Sequence, residues 1–226
     1  MKVAIMQPTF LPWLGYFSLI NTVDKFVFLD NVQFESRSWQ QRNRILNNNQ
    51  VQWVTVPVSL PTGQATKIHE VKINQEHYSA SKIIKTLGHA YSKAEWADFT
   101  LENLGPRLEN AGNSLSELNM GLIVQLSSLL GIETEFVYAR ELEAVGEKAD
   151  LLLNICQKIG ATTYVSPVGS RVYLDDFNGF NESQMQLEYQ EYTHPIHKQL
   201  STSFVTHLSI VDALCNIGPK ETASLI

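Results

Sequence analysis

Four consecutive apolar residues, Phe26-Val27-Phe28-Leu29, follow Lys25 with no polar side chain among them. A strand with one wet face alternates apolar and polar residues. An unbroken apolar run of strand length fits a strand buried on both faces, as in a parallel sheet covered by helices on each side. The opening run "KVAIMQ" has the same character and stops at Pro8, since the residue before a proline is held out of the helical region. Two such strands so early predict a layered α/β chain.

The rest of the chain fits that frame. Helical spacing predicts helices over Leu14–Thr22, Ser79–Tyr91, Phe99–Asn110 and Ser114–Leu130, the last capped by Ser114 or Ser116 and stopped by Gly131. "VQWVTVPV", "HEVKIN", "ETEFVYAR", "ATTYVSPVG" and "QLEYQEY" read as strands, and "EKADLLLNICQKIG" and "LSIVDALCNIG" as helices. The expected fold is a Rossmann-like, mostly parallel sheet in a single α/β domain over 1–226. A helical segment, 79–131, is inserted within it. In such a sheet ligands gather outside the carboxyl ends of the strands.

Composition excludes several classes. The 226 residues are 44% hydrophobic and 18% charged, ordinary for a globular chain. A net charge of −6 opposes a general duplex nucleic-acid surface. No apolar run approaches the ~20 residues of a membrane span, and Gln7, Pro8 and Pro12 interrupt any secretory leader. Cys156 and Cys215 sit in helix-like apolar surroundings and read as buried thiols. The expectation is a cytoplasmic protein without disulfides.

Several stretches carry candidate chemistry at predicted strand ends. In "MQPTFLPWLGYF", Gln7 stands at the end of the first strand. Pro12 and Gly15 shape the loop, and free N–H groups at the next helix start suit an anion. Asp30 closes the second strand, as a grip for a ribose hydroxyl or amine or as a loop cap. Arg42, Asn43 and Arg44 in "RSWQQRNRI" suit a diphosphate or carboxylate, or a solvated loop. Ser166, Gly169, Ser170 and Arg171 in "SPVGSR" form an anion nest or a tight turn. His194, in "THPIHKQ", is the candidate general base. Pro195 opposes the helical spacing a His194–His197 metal pair would need, so no metal site is expected. Ser209, Asp212 and Asn216 share one face of the last helix, where they tie it to the N-terminal loop or a ligand or form a structural hydrogen-bond network.

The blocks "MQPTFLPWLGYFSLINTVDKFVFLDNVQF", "RNRI", "YVSPVGSRVYLDDFNGF" and "YTHPIHKQ…FVTHLSIVDALCNIGP" together resemble the WbqC-like protein family, from Met6 to about Pro219. The resemblance implies bacterial surface-polysaccharide and O-antigen biosynthesis. The strand–loop–helix at Gln7–Tyr16 also looks like the first motif of class I aminoacyl-tRNA-synthetase-like nucleotidyltransferases, whose His-x-Gly-His contacts phosphates. Here "WLGY" replaces that tetrad. Both histidines are gone, which leaves Tyr16 as the hydroxyl that would substitute. The implied activity is transfer of an acyl, aminoacyl or nucleotidyl group with a nucleotide or sugar nucleotide, by binding and orientation. Catalysis would fall to His194, Asp30 and Tyr16. Binding would fall to Gln7, Pro12, Gly15, Arg42, Asn43, Arg44, Ser166, Gly169, Ser170, Arg171 and Asp212. No motif names a cofactor. The alternative is a non-catalytic binding or scaffold protein of the same pathway, with the long helices of Ser79–Leu130 as a homodimer or partner face.

Overall fold

The computed structural model describes residues 1–226. Strand β1 (Lys2–Met6) leads through helix α1 (Leu14–Asn21) to β2 (Lys25–Phe28). A hairpin of β3 (Arg42–Asn47) and β4 (Gln50–Thr55) follows, then a short pair, β5 (Val58–Ser59) and β6 (Lys72–Ile73). Three helices come next: α2 (Ala80–Ala90), α3 (Ala97–Glu109) and α4 (Leu115–Leu129). The chain returns to the sheet in β7 (Glu135–Tyr138), α5 (Lys148–Lys158) and β8 (Thr163–Ser166). The short helices α6 (Arg171–Leu174) and α7 (Gly179–Glu182), strand β9 (Gln186–Tyr189) and helix α8 (Ile210–Ala223) complete it.

The central sheet has five strands in the order β7-β2-β1-β8-β9, all parallel. The double burial expected of Phe26–Leu29 is what places β2 inside this sheet. Phe26 and Phe28 enter one core and Val27 the other, all at 0% exposure. β1 divides likewise, with Ala4 on the first side and Val3 and Ile5 on the second. The first core also takes in α1, the three middle helices and the apolar face of α8. The second is built from Leu151, Leu152 and Ile155 of α5 with Tyr164 and Phe180. Helices therefore cover both faces of a Rossmann-like sheet. Cys156 and Cys215 are free and buried, and burial pushes both thiols up to about 12.

Chain order gives the sheet its switch point. From β1 the chain moves outward to β2 and then β7. It next crosses to the other side of β1, to β8 and then β9. The connections after β1 and after β7 thus diverge to opposite faces, and a crevice opens above the carboxyl ends of β1 and β8.

Two predicted strands differ in the structure. "VQWVTVPV" lies outside the central sheet, because β4 pairs antiparallel with β3. Asn48 and Asn49 turn that hairpin with φ of 49° and 61°, the left-handed pair a two-residue loop requires. "HEVKIN" shrinks to Lys72–Ile73, since Ile68–Glu70 coils into a 3-10 turn in which Glu70 accepts from the Lys67 N–H.

Candidate functional site

Two recesses meet over the carboxyl edge of the sheet. The first, of about 280 Å3, lies over β1 and β8, with Gln7, Trp39, Gln40, Tyr164, Ser170 and Tyr173 in its walls. The second, of about 750 Å3, spreads over β2 and the start of α5, with Asn31, Gln33, Lys67, Glu147 and Lys148. Gln7, Leu29, Leu152 and Tyr173 border both, so the two adjoin, with Gln7 at the waist between them.

The loop after β1 is fixed from three sides. The Tyr16 hydroxyl donates to the Gln7 carbonyl at 3.0 Å. The buried Asn119 amide of α4 donates to the carbonyls of Pro8, at 3.2 Å, and Gln40, at 2.7 Å. The Asn43 amide donates to those of Phe10, at 3.0 Å, and Leu11, at 2.9 Å. Leu11 is held at φ 45°, a strained left-handed conformation for a residue with a side chain. The Asn43 bonds lock it there.

The predicted site residues separate into three groups. Gln7 and Ser170 face the cleft. Asp30 lies fully buried beneath it, while its neighbours Leu29 and Asn31 line it. The Asp30 carboxylate sits 3.3 Å from Arg140 and 3.4 Å from the Ser116 hydroxyl, and its second oxygen has no partner. Burial raises its carboxyl above the ordinary carboxylate value, with Arg140 and then His69 pulling the other way. Ser166 is buried at the end of β8, its hydroxyl turned to that of Tyr164 at 3.3 Å. Gly169 is exposed next to Ser170.

The second group surrounds Trp13. Its indole ring lies on the backbone of Gly15, where an added Cβ would fall 2.2 Å from the ring. Gly15 thus admits the tryptophan, and Pro12 is buried with its carbonyl accepting from Ile210 N–H at 2.8 Å. Tyr16 is 2% exposed, and burial drives its hydroxyl well above the usual phenol range. His194 stacks on Trp13 with ring centres 6.0 Å apart, beside Tyr192, Phe204 and His207. Desolvation lowers its pKa from the ordinary histidine value. Asp212 accepts from His197 at 2.9 Å and Gln199 at 2.8 Å, and Asn216 bonds its carbonyl at 2.8 Å. The polar face of α8 is thus occupied by protein partners.

The third group is cationic and lies outside the cleft walls. Arg42 stacks over Trp53 at 4.2 Å. Arg44 reaches the His207 carbonyl at 2.9 Å and lies 5.4 Å from the Trp39 ring. Arg171 covers Tyr189 at 4.5 Å, on the β9 side of the sheet. The cations in the cleft are Lys67 and Lys148, and neither takes part in an ion pair. Sequence reasoning missed both, together with Trp39, Gln40 and Tyr173. Lys148 alone carried a signal, in the first turn of the helix "EKADLLLNICQKIG" that follows a predicted strand.

A doubly wound parallel sheet, with a polar and aromatic cleft at its switch point, defines an α/β protein of the Rossmann-like class. The chain belongs to the WbqC-like protein family, whose model matches residues 7–224. It is 36% identical over 221 residues to a Mycobacterium tuberculosis (strain ATCC 25618 / H37Rv) protein described as "Uncharacterized protein Rv1507c". That alignment covers 97% of this chain and 95% of the relative. No solved structure matches the chain. No helix is long and apolar enough to cross a membrane.

Proposed function

We propose that the chain binds a nucleotide or sugar nucleotide in the switch-point cleft and transfers an acyl, aminoacyl or nucleotidyl group in surface-polysaccharide assembly. The observation that carries this reading is the position of the cleft, above β1 and β8 where strand order reverses. Its two lobes differ in chemistry. Trp39 and Tyr173, each 45% exposed, offer aromatic faces to a planar base in the smaller lobe. Lys67 and Lys148 offer positive charge to phosphates in the larger one. The pathway comes from the family resemblance.

The reading revises the roles within the earlier candidate set. Gln7 and Ser170 contact the ligand. Tyr16, Asn43, Pro12 and Gly15 hold the loop that presents Gln7, and Asp30 supports the cleft floor. Rate enhancement would come from holding donor and acceptor in register rather than from a histidine acid. The alternative, a non-catalytic binding or scaffold protein, draws support from one observation. His194 and the Tyr16 hydroxyl are both engaged with the protein rather than among the cleft-lining groups.

Melting temperature with ATP, CTP, UDP, dTDP-sugars and coenzyme A tests the proposal. A ligand at 100 times its Kd stabilises by about 2.7 kcal/mol. The expected result is a rise with at least one nucleotide diphosphate, weakened by Trp39→Ala and by Lys148→Ala. No rise with any of them refutes it. Turnover of a bound donor separates the enzyme from the scaffold.

A further inference from the structure

We infer that Gln40 is a positioning residue that fixes the polarity of Gln7, so that the waist of the cleft presents a hydrogen-bond donor and selects ligands with an acceptor there. Gln40 is 2% exposed and does not itself need to touch the ligand. The Glu35 backbone N–H donates to Gln40 Oε1 at 3.1 Å. A backbone N–H can only donate, so the Gln40 atom it meets must be the carbonyl oxygen. The other end of that amide is then Nε2, which can only donate, and it meets Gln7 at 2.8 Å. Gln7 must therefore turn its Oε1 inward. Its Nε2 is left facing the cleft, and it neither bonds to protein nor is a buried orphan.

The chain of bonds is unambiguous because one end is backbone. It is also rigid, since Asn119 holds the Gln40 carbonyl and Tyr16 holds the Gln7 carbonyl. The ligand group at the waist must then be a carbonyl, ether, hydroxyl or phosphate oxygen, or an unprotonated ring nitrogen. This rests on the proposed function for the ligand but not for the orientation of the amide.

Gln40→Glu at pH 8 tests it. An ionised carboxylate accepts from both the Glu35 N–H and Gln7 Nε2, which rotates Gln7 and points Oε1 into the cleft. Two readouts are needed. The side-chain amide resonance of Gln7, identified by its loss in Gln7→Leu, should exchange rapidly with water in the unaltered protein and become protected in Gln40→Glu. UDP affinity should fall by roughly ten- to a hundredfold in Gln40→Glu, the range for losing one donor and leaving an acceptor unpaired. It should recover as the pH is lowered, because a protonated carboxyl again donates to Gln7. In Gln7→Leu/Gln40→Glu the second change should add nothing, as no amide remains to rotate. Gln40→Met carries no charge into the core, and it should weaken UDP severalfold by freeing Gln7 to rotate. A protected Gln7 amide in the unaltered protein, or additive losses in the double variant, overturns the inference. So does undiminished UDP affinity in both Gln40 variants. Failure of UDP to bind the unaltered protein, with the amide pattern as expected, supports the orientation and counts instead against the nucleotide reading.

Discussion

Asn43→Ala should destabilise the protein by roughly 2–4 kcal/mol, through the loop after β1. Asn43 is 3% exposed, and its amide donates at 3.0 and 2.9 Å to the carbonyls of Phe10 and Leu11. Its oxygen accepts from the Arg44 N–H at 2.8 Å. Alanine removes both donors and leaves two carbonyls without them in the interior. Each costs about 1–3 kcal/mol when water cannot replace the partner. The two together come to about 2–6 kcal/mol. Leu11, at φ 45°, would also relax toward ordinary backbone, which offsets about 1 kcal/mol of strain. That release, partial relaxation and a single water in the vacated space bring the net cost to the lower half, about 2–4 kcal/mol. Asn43→Asp should cost more, since it turns both donors into acceptors facing carbonyl oxygens. Urea unfolding followed by tryptophan fluorescence measures this. With an m-value of about 3 kcal/mol/M, the midpoint should fall by about 1 M. A midpoint unchanged in Asn43→Ala, or a better-folded Asn43→Asp, would refute the anchoring role and return Asn43 to the ligand.

Gly15→Val should displace the Trp13 ring, because a Cβ already falls 2.2 Å from it; near-ultraviolet circular dichroism should report the loss of Trp13 packing, and an unchanged spectrum would contradict the contact. Asp30 has a raised pKa in the folded state, so its stability contribution is largest when it is protonated and is lost as pH rises through the folded value. The melting temperature of Asp30→Asn, taken relative to the unaltered protein, should therefore increase between about pH 4 and pH 7; a flat or falling difference would argue that Arg140 fully compensates the charge. His194 has a lowered pKa, so its contribution is present above the ordinary value of about 6.5 and lost on acidification. His194→Phe should flatten the acid side of the stability profile, and a profile as steep as before would place that titration elsewhere.

The parallel sheet was legible because burial on both faces leaves a local mark. Phe26–Leu29 and Val3–Met6 contain no polar residue, the pattern of strands covered on both faces. Gln7 could be placed at the cleft because it follows the first strand, at the carboxyl edge of the sheet. The hairpin was hidden by its chemistry. Arg42 and Arg44 drew attention as anion ligands, while the alternation Asn43, Ile45 with Asn48-Asn49 at the turn marked a strand and its loop. Alternation put both arginines on the face that stacks against tryptophans. The partners of Trp13 and Asp212 were not readable at all. Gly15 looked like an opening for an anion, but an indole ring covers it. His197 and Gln199 reach Asp212 from an irregular segment with no periodicity to predict its path. Trp39 and Lys67 come from separate loops and Tyr173 from the short helix α6, joined only by the sheet beneath them.

The most direct measurement is a crystal structure of the protein soaked with UDP or a dTDP-sugar. Density for the base between Trp39 and Tyr173, with phosphates toward Lys67 and Lys148 and an acceptor atom against Gln7 Nε2, is the result expected. Density on the Arg42–Trp53 face or around His194, with the space above β1 and β8 empty, would contradict it.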